Sequence, residues 1–417
     1  MPDREERLVR LHRIQTADPA TLAPTAAEVV TDGTRVYLQT PGAQAPVLLE
    51  EDLVLYRLLA GGRARKKPWV SHLVIEPTYR CNLACPICFT HNQAEDVPLA
   101  EIAAEIEKVE GRVVTISGGE PTMREDLPEI IRLVARRNIP LLASNGIRLA
   151  ERAYLEVLRE HGLGHVTFSF NGFSGAAQLG TNGRELLATK LAAIDNLAAL
   201  DMRFLLSAVL MRGVNEQEIG PILELAARYP RQIKEVRFRS AMPMGKHVEL
   251  RPFLPSEILT LICRSAGVAR DDVLAALRTY RRLSSLVPFL HLMQKPCSFG
   301  FYLRRDGDAF RPLPEGPFWR AARDLQQISP VGSGLFGGHR SSIWRHREGA
   351  LKVSVRVWPT LETLDLRQHV THCNTRYITG HKKGLPVCYA NLLHDRGRLP
   401  GATGPGVEGR DRAGEGR

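Results

Sequence analysis

The chain has 417 residues, of which 44% are hydrophobic and 24% are charged, so it can bury a large core as one large or two moderate domains. Its apolar stretches fall short of the ~18–20 residues of a membrane span, and its charged first residues lack the apolar segment of a secretory signal, so we expect no transmembrane segment and a cytoplasmic location. The net charge of +11 is scattered as arginines without an aromatic-interleaved basic motif, which favours a solvated basic surface over a nucleic-acid groove.

Residues 1–69 are predicted to form a small amino-terminal α+β unit. Within Glu28–Gln39, two β-rich runs flank Asp32 and Gly33, which is a hairpin signal. The segment Glu50–Leu59 has the pattern of a short helix that ends at the following pair of glycines. A basic linker then leads into the next domain.

Short apolar runs alternate with amphipathic stretches from residue 70 to residue 250. The strand candidates are Leu73–Ile75, Val113–Ile116, Leu141–Ala143, Val166–Phe170, Phe204–Leu210 and Glu235–Arg239. The helix candidates are Leu99–Glu110, Leu127–Arg137, Glu151–His161, Glu185–Leu200 and Glu216–Arg228. Strands that alternate with helices of this length predict right-handed βαβ units and a parallel sheet, either doubly wound or curved into a barrel. Catalytic groups should then gather at the carboxyl ends of the strands.

The regular alternation stops after residue 250. We expect residues 251–393 to form an irregular carboxy-terminal extension with a helical stretch Pro255–Leu292, a Gly-, Pro- and Arg-rich middle Gly300–Arg347 and a β-like run Leu351–Trp358. Residues 394–417 contain hardly any apolar side chain and are predicted to be a disordered tail.

Three of the seven cysteines lie within eight positions, directly after the first strand of the alternating region. Cys81, Cys85 and Cys88 have the spacing Cys-x3-Cys-x2-Cys, so their thiolates could hold three irons of a cubic cluster and leave the fourth iron open. Such crowding fits metal ligation in a reducing compartment better than a disulfide framework. Zinc is the alternative, because His91 would complete a Cys3His set.

A second motif follows the second predicted strand. Gly118 and Gly119 precede Glu120 and Pro121 there, at a strand end where glycines let a ligand lie against the backbone. The carboxylate of Glu120 can accept a hydrogen bond from an ammonium group. A turn of this composition is common, but its combination with the cysteine loop disfavours the zinc interpretation.

Together these motifs resemble those of the radical S-adenosylmethionine (SAM) superfamily, over roughly residues 70–250. The resemblance implies a partial (β/α)6 barrel in which Cys81, Cys85 and Cys88 hold a [4Fe-4S] cluster, and SAM chelates the free iron. It places Gly118, Gly119 and Glu120 against the methionyl amino group. The family usually has an aromatic residue before the third cysteine, where this chain has Ile87, and an aliphatic side chain can supply the same apolar contact.

Polar residues at later strand ends resemble the positions that contact SAM in this family. Ser144 and Asn145 follow the third predicted strand, and Ser169 and Asn171 follow the fourth. Taken alone, each fits an ordinary polar turn residue better.

The sixth strand alternates apolar and basic residues, so one arginine face is predicted to point into the barrel. Arg237 and Arg239 could there pair with a carboxylate or phosphate and are candidate cofactor-binding residues, or they could be a structural or solvent-facing pair.

The resemblance implies a mechanism driven by an electron from a reduced flavodoxin or ferredoxin. Reductive cleavage of SAM yields methionine and a 5′-deoxyadenosyl radical, which abstracts hydrogen from an unactivated carbon. No catalytic acid or base is assigned, and a cobalamin-dependent variant is disfavoured because no Asp-x-His-x-x-Gly motif occurs.

Four cysteines lie outside the first cluster motif. Cys263 has an apolar helical context and is expected to be a buried thiol. Cys297, Cys373 and Cys388 have loop-like contexts and could either ligate an auxiliary iron-sulfur cluster or be separate structural thiols.

The cysteine motif and the carboxy-terminal run resemble the branch of the family that contains pterin-methylating and tetraether-lipid-forming members. This implies alkylation, methylation or C–C coupling at an unactivated carbon of a small molecule or lipid. The alternative is a peptide maturase in which residues 25–62 bind a leader peptide. A third, non-catalytic hypothesis is a zinc-stabilised binding module.

Overall fold

The computed structural model of the chain describes residues 8–17, 23–60, 72–89, 95–243, 250–286, 298–313, 350–360, 363–366, 369, 373 and 375–394. His91, Cys297 and the predicted tail beyond His394 lie outside these residues.

An antiparallel four-stranded sheet forms the amino-terminal unit. Its strands, in spatial order, are β1 (Val9–Ala17), β2 (Pro24–Thr31), β3 (Val36–Gln39) and β4 (Val47–Glu50). The predicted hairpin joins β2 to β3. Asp32 Oδ1 closes its turn by accepting hydrogen bonds from the backbone N–H groups of Thr34 and Arg35, at 2.8 and 2.7 Å.

Helix α1 (Leu53–Ala60) attaches this sheet to the rest of the molecule. It begins at Leu53, later than predicted, because Asp52 Oδ1 accepts hydrogen bonds from the backbone N–H groups of Val54 and Leu55 and so caps the helix. Its buried leucines belong to the main hydrophobic core. The amino-terminal unit therefore shares a core with the remainder of the chain.

A second sheet has ten strands and dominates the fold. The strands are β5 (His72–Thr78), β6 (Val113–Gly118), β7 (Ile139–Ser144), β8 (His165–Ser169), β9 (Arg203–Leu210), β10 (Ile233–Ser240), β11 (Ser298–Asp306), β12 (Ala309–Leu313), β13 (Ala350–Arg356) and β14 (Thr375–Tyr377). Their spatial order is β12-β11-β13-β10-β9-β8-β7-β6-β5-β14. The pairs from β14 through β5 to β10 and β13 are parallel, and β11 and β12 are antiparallel.

Helices follow most strands of this sheet. They are α2 (Leu99–Glu107), α3 (Leu127–Ala135), α4 (Arg152–Glu160), α5 (Gly175–Asn182), α6 (Leu187–Ala199), α7 (Ile219–Arg228), α8 (Pro255–Ala266), α9 (Arg270–Leu286) and the short α10 (Val387–Tyr389). All six predicted strands and five predicted helices of the alternating region are present. Helix α5 is an addition that the sequence pattern did not predict.

The strand order decides between the two predicted architectures. From β5 to β10 each strand lies beside the preceding one, without the reversal of a doubly wound sheet. Right-handed crossovers that always step in the same direction place every helix on the same face of the sheet. The predicted partial (β/α)6 barrel is therefore confirmed.

The two faces of the ten-stranded sheet differ in polarity. Alternate residues such as Val166, Phe204 and Val236 are fully buried under the helices and form the main core with them. The intervening residues lie on the opposite, concave face and include Thr167, Ser207 and many charged side chains. The concave face is therefore the one that can accept polar ligands.

The carboxy-terminal extension adds strands to both edges of the barrel sheet. β13 pairs with β10, and β14 pairs with β5. The Gly-rich segment predicted to be irregular contains the hairpin β11–β12, whose turn holds Gly307 at a φ of 60°. The predicted helical stretch is divided into α8 and α9 by Gly267, which has a φ of 64°.

Candidate functional site

The three cysteines of the first motif lie on the loop that follows β5. Cys81 is exposed, whereas Cys85 and Cys88 are half-buried, and Cys88 N donates a hydrogen bond to Cys85 O at 3.1 Å. Burial raises the pKa of the Cys85 thiol to about 11, and the adjacent thiols of Cys88 and Cys81 add to the rise. The thiol of Cys85 thus needs a nearby cation to become a thiolate at neutral pH.

The cluster and the zinc alternative share the thiols of Cys81, Cys85 and Cys88 as donors. Within the described part of the chain, no three His, Cys, Asp or Glu side chains are arranged to hold a single metal ion. A cubic cluster does not need that arrangement, because each thiolate binds a different iron. His91, the fourth ligand of the zinc alternative, lies outside the described residues.

The glycine pair at the end of β6 packs against the backbone that leads into the cysteine loop. A Cβ atom on Gly118 would lie 2.2 Å from Thr78 O, and one on Gly119 would lie 2.4 Å from Arg80 O. Gly118 also has a φ of 121°, which favours glycine. Glu120 N donates to Arg80 O at 2.9 Å, so the two strand ends are joined directly before Cys81.

Glu120 connects the ends of β6 and β7. Its Oε1 accepts hydrogen bonds from Ser144 Oγ at 2.9 Å and from Thr122 Oγ1 at 2.7 Å, and its Oε2 accepts one from Asn145 N at 2.7 Å. Burial raises the pKa of this carboxyl group, and these hydrogen bonds oppose the rise. Most of its capacity to accept hydrogen bonds is used inside the protein, so its contact with an ammonium group remains a prediction.

Asn145 extends this network to the cysteine loop. Its Nδ2 donates to Asn82 Oδ1 at 2.7 Å, and Asn82 follows Cys81 in the chain. The structure therefore brings together the cysteines, the glycine pair, Glu120, Ser144 and Asn145, as the strand-end argument predicts.

The side chain of Asn171 and the backbone carbonyl of Ser169 form hydrogen bonds within the protein at the end of β8. Asn171 Oδ1 accepts a hydrogen bond from Val209 N at 2.9 Å, which joins the ends of β8 and β9. Ser169 O accepts one from Lys190 Nζ at 2.8 Å. A contact of Ser169 or Asn171 with SAM remains a prediction.

Lys190 is a functional candidate that the sequence reasoning missed. Its side chain is fully buried, and burial lowers its pKa to about 8, while Cys85 and Glu120 favour its charged form. A cation close to the cysteine loop helps to offset the negative charge of thiolates. The detectable signal was a lysine on the same helical face as Leu187, Leu191 and Ile194.

Arg237 and Arg239 lie on the concave face of β10, as predicted. Arg237 forms an ion pair with Glu235 at 2.8 Å, so it is partly neutralised within its own strand. Their binding of a cofactor remains a prediction.

The remaining cysteines have different surroundings. Cys263 is buried in α8, as expected, and burial raises its pKa to about 11. Cys388, predicted to lie in a loop, is buried in α10 and packs with Leu364 and Leu392. Cys373 Sγ donates a weak hydrogen bond to Thr375 O at 3.4 Å. Because Cys297 lies outside the described residues, the auxiliary cluster remains a prediction.

The carboxy-terminal extension contacts the segment that precedes the cysteines. Lys382 Nζ lies 3.1 Å from Glu76 Oε2, and both residues are buried. Tyr79 donates a hydrogen bond to the same carboxylate oxygen at 2.8 Å. This buried ion pair, which no local sequence pattern indicated, holds the end of β5 in place.

Comparison with known proteins finds one family match within the barrel region. Residues 75–226 match the model of the radical SAM superfamily, a span that includes the cysteine loop and the glycine pair. The chain thus contains a segment that matches the radical SAM superfamily. The family resemblance of the two motifs is thereby confirmed, and with it the use of a [4Fe-4S] cluster and SAM as the cofactors of this family.

Two curated radical SAM relatives are similar over less than half of this chain. A 7,8-dihydro-6-hydroxymethylpterin dimethyltransferase of Methanocaldococcus jannaschii is 33% identical over 184 residues, which are 41% of this chain and 36% of the relative. A GTP 3',8-cyclase of Corynebacterium glutamicum is 31% identical over 193 residues, which are 42% of this chain and 49% of the relative. The chain thus spans about a third to a half of the length of these two relatives.

Among solved structures, Streptococcus suis SuiB bound to S-adenosylmethionine matches with a TM-score of 0.41 and 15% identity. The match covers 48% of this chain and 46% of SuiB. No helix in the described ranges has both the length and the apolar character that crossing a membrane requires.

Proposed function

We propose that this chain is a radical SAM enzyme whose [4Fe-4S] cluster is held by Cys81, Cys85 and Cys88. The bound cluster and SAM would supply the radical chemistry, namely reductive cleavage of SAM coupled to removal of a hydrogen atom from the substrate. The observation that carries this proposal is the position of the three thiols, which share one loop at the carboxyl edge of a parallel sheet next to the Gly118–Glu120 strand end.

The protein's own residues position this loop. Hydrogen bonds from Ser144 and Asn145 to Glu120 fix the end of β6, and the glycine pair lets that end approach the backbone before Cys81. Lys190 keeps a positive charge near Cys85 in a buried setting, which favours thiolates. These contacts order the site before any ligand binds, so less conformational entropy is lost on binding.

The proposed reaction is alkylation, methylation or C–C coupling at an unactivated carbon of a small molecule or lipid. The names of the two curated relatives, a pterin dimethyltransferase and a GTP cyclase, support a small heterocyclic substrate. The proposed reductant is a flavodoxin or ferredoxin, for which the net charge of +11 provides a complementary surface.

A peptide maturase is the second candidate. It is favoured by β1, which pairs with β2 alone among the described strands and so leaves one edge able to add a peptide strand. A leader peptide that binds there should protect amide protons of β1 from hydrogen exchange. A peptide that leaves β1 exchange unchanged would contradict this alternative.

Anaerobic reconstitution with iron and sulfide tests the proposed function. With dithionite as reductant, we expect the holoprotein to convert SAM into equal amounts of methionine and 5′-deoxyadenosine. A reducible cluster that gives no 5′-deoxyadenosine would refute the proposal. A protein that binds zinc but no iron would favour the hypothesis of a zinc-stabilised binding module.

A further inference from the structure

Lys190 puts a buried positive charge on a helical face that is otherwise apolar. It lies on α6, and its side chain is fully buried. Leu187, Leu191 and Ile194 share its face of the helix, so an apolar side chain would suit this position. Because a buried cation costs free energy unless a negative group offsets it, packing alone does not account for the lysine.

The ammonium group of Lys190 is held in place by uncharged acceptors. Its Nζ donates hydrogen bonds to Ser169 O at 2.8 Å and to Asn182 Oδ1 at 3.4 Å. Asn182 is itself oriented, because its Nδ2 donates to Gln178 Oε1 at 2.8 Å. Neither acceptor of the lysine is a carboxylate, so these hydrogen bonds fix the position of the charge without neutralising it.

The end of α5, which holds the lysine, also lies against the cysteine loop. Gly183 ends this helix with a φ of 77°. A Cβ atom built at Gly183 would lie 3.2 Å from Ala84 O and 3.6 Å from Pro86 Cδ. These two residues flank Cys85 in the chain. The same short segment therefore approaches both Lys190 and the backbone around Cys85.

The acidic groups that Lys190 senses belong to the cysteine loop and to the end of β6. Burial lowers the pKa of Lys190 to about 8, while Cys85 and, after it, Glu120 favour the charged form, so the amine is mostly protonated at neutral pH. Burial also raises the pKa of Glu120, whose oxygens accept hydrogen bonds from three neighbouring residues. Thiolates on the cysteine loop are thus the main negative charge that this cation can offset.

We propose that Lys190 raises the reduction potential of the [4Fe-4S] cluster held by Cys81, Cys85 and Cys88. Three thiolates give the oxidised cluster a net negative charge, and the one electron that the reductant delivers makes it more negative. A fixed buried cation stabilises the more negative state more strongly, so it favours the reduced cluster. This inference rests on the proposed function, and it adds that Lys190 makes the cluster easier to reduce by a flavodoxin or ferredoxin.

A redox titration with dithionite, followed by electron paramagnetic resonance without SAM, tests this proposal on the reconstituted chain. Lys190→Met and Lys190→Gln both remove the charge, but Lys190→Gln keeps an N–H group that can donate a hydrogen bond. We expect the ratio of reduced to oxidised cluster at a given potential to fall about tenfold in both variants, which is a shift of about 59 mV to lower potential for a one-electron couple. The iron content of Lys190→Gln should equal that of the wild type.

The matched control is Lys234→Met. Lys234 is also buried, and its Nζ also donates to a backbone carbonyl, that of Pro230, at 2.8 Å. It lies near the amino end of β10, whereas the cysteine loop follows the carboxyl end of β5, so Lys234→Met should keep the wild-type potential. An equal shift in Lys234→Met would overturn the proposal, because any buried lysine would then have the same effect.

Variants of Lys190 that keep the wild-type potential would also overturn the proposal. Loss of iron from both variants would make Lys190 a structural residue instead. A weaker affinity for SAM in calorimetry, with no shift in potential, would assign Lys190 to SAM binding. Release of 5′-deoxyadenosine is measured separately, so a shifted potential in a protein whose wild type does not cleave SAM would contradict the proposed function alone.

Discussion

The two ends of the barrel sheet treat buried charge in opposite ways. Near β6 and β7, the carboxylate of Glu120 is surrounded by donors from its own chain. Near β10 and β13, Arg239 is half-buried, and its buried Nε has no hydrogen-bond partner among the described residues. The comparison shows which polar groups brace the structure and which are left for a ligand, because a buried polar group is costly unless it is paired.

A substitution at Gly119, where two backbone segments approach closely near Glu120, is expected to have the largest effect. Gly119→Ala would place a Cβ atom 2.5 Å from Tyr79 O, and a carbonyl of the backbone can yield only if the chain before Cys81 moves. We expect a loss of bound iron and a decrease of about 3 kcal/mol or more in the free energy of unfolding. Metal analysis and urea unfolding measure the two effects.

Gly164→Ala is the matched control, because nothing lies within 4 Å of a Cβ atom built at Gly164. It should change stability by no more than about 0.5 kcal/mol. Equal effects of the two substitutions would show that the glycine pair does not position the cysteine loop.

Glu120→Gln tests whether the bracing needs a carboxylate. An amide would direct its NH2 group at a donor, either Asn145 N or the hydroxyl groups of Ser144 and Thr122. We expect the free energy of unfolding to fall by about 3 kcal/mol. The half-buried Glu129 of α3 pairs with Arg132, so Glu129→Gln should cost no more than about 0.5 kcal/mol in the same urea titration. A neutral Glu120→Gln would place Glu120 among the groups left for a ligand.

Glu50 extends the comparison to the contact between the amino-terminal sheet and α8. Burial raises its pKa to about 7, although Ser256 N donates a hydrogen bond to it at 3.2 Å. The pKa of a carboxyl group in the unfolded chain is lower, so the stability that protonated Glu50 contributes is lost as the pH rises through about 7. Between pH 5.5 and pH 8 the wild type should lose about 2 kcal/mol more than Glu50→Gln. If the free energies of unfolding of the two proteins changed equally with pH, a group other than Glu50 would cause the pH dependence.

Cys388 gives the smallest expected effect. Because its thiol packs with apolar side chains, Cys388→Ala should lower the free energy of unfolding by about 1 kcal/mol and leave the iron content unchanged. Iron analysis after reconstitution measures the bound iron. A loss of about half of the iron would instead support the auxiliary cluster.

The barrel strands and their helices could be predicted because their apolar periodicity is local. The same argument predicted that Arg237 and Arg239 lie on the concave face, because side chains alternate between the two faces along β10 and the apolar ones face the core. Helix α5 and strand β14 escaped prediction, since both are short and β14 gains its partner, β5, from about 300 residues earlier in the chain.

The roles of individual side chains were harder to predict than their positions. The Gly118–Glu120 motif was found from its sequence, but the partners of Glu120 belong to the next strand end and become visible only in three dimensions. Lys190 and Lys382 were missed, because a buried lysine is recognised by its partners rather than by its neighbours in sequence. Local sequence patterns thus do not reveal which charged side chains pair across the fold.

The central claim is that Cys81, Cys85 and Cys88 hold the cluster at which SAM is cleaved. Its most direct test is to measure bound iron and 5′-deoxyadenosine together in the wild type, in a triple variant Cys81→Ala, Cys85→Ala and Cys88→Ala, and in Cys263→Ala. We predict that the triple variant forms no 5′-deoxyadenosine and loses the iron of this cluster, while Cys263→Ala, altered in the core of α8, keeps both. Release of 5′-deoxyadenosine by the triple variant at the wild-type rate would contradict the claim.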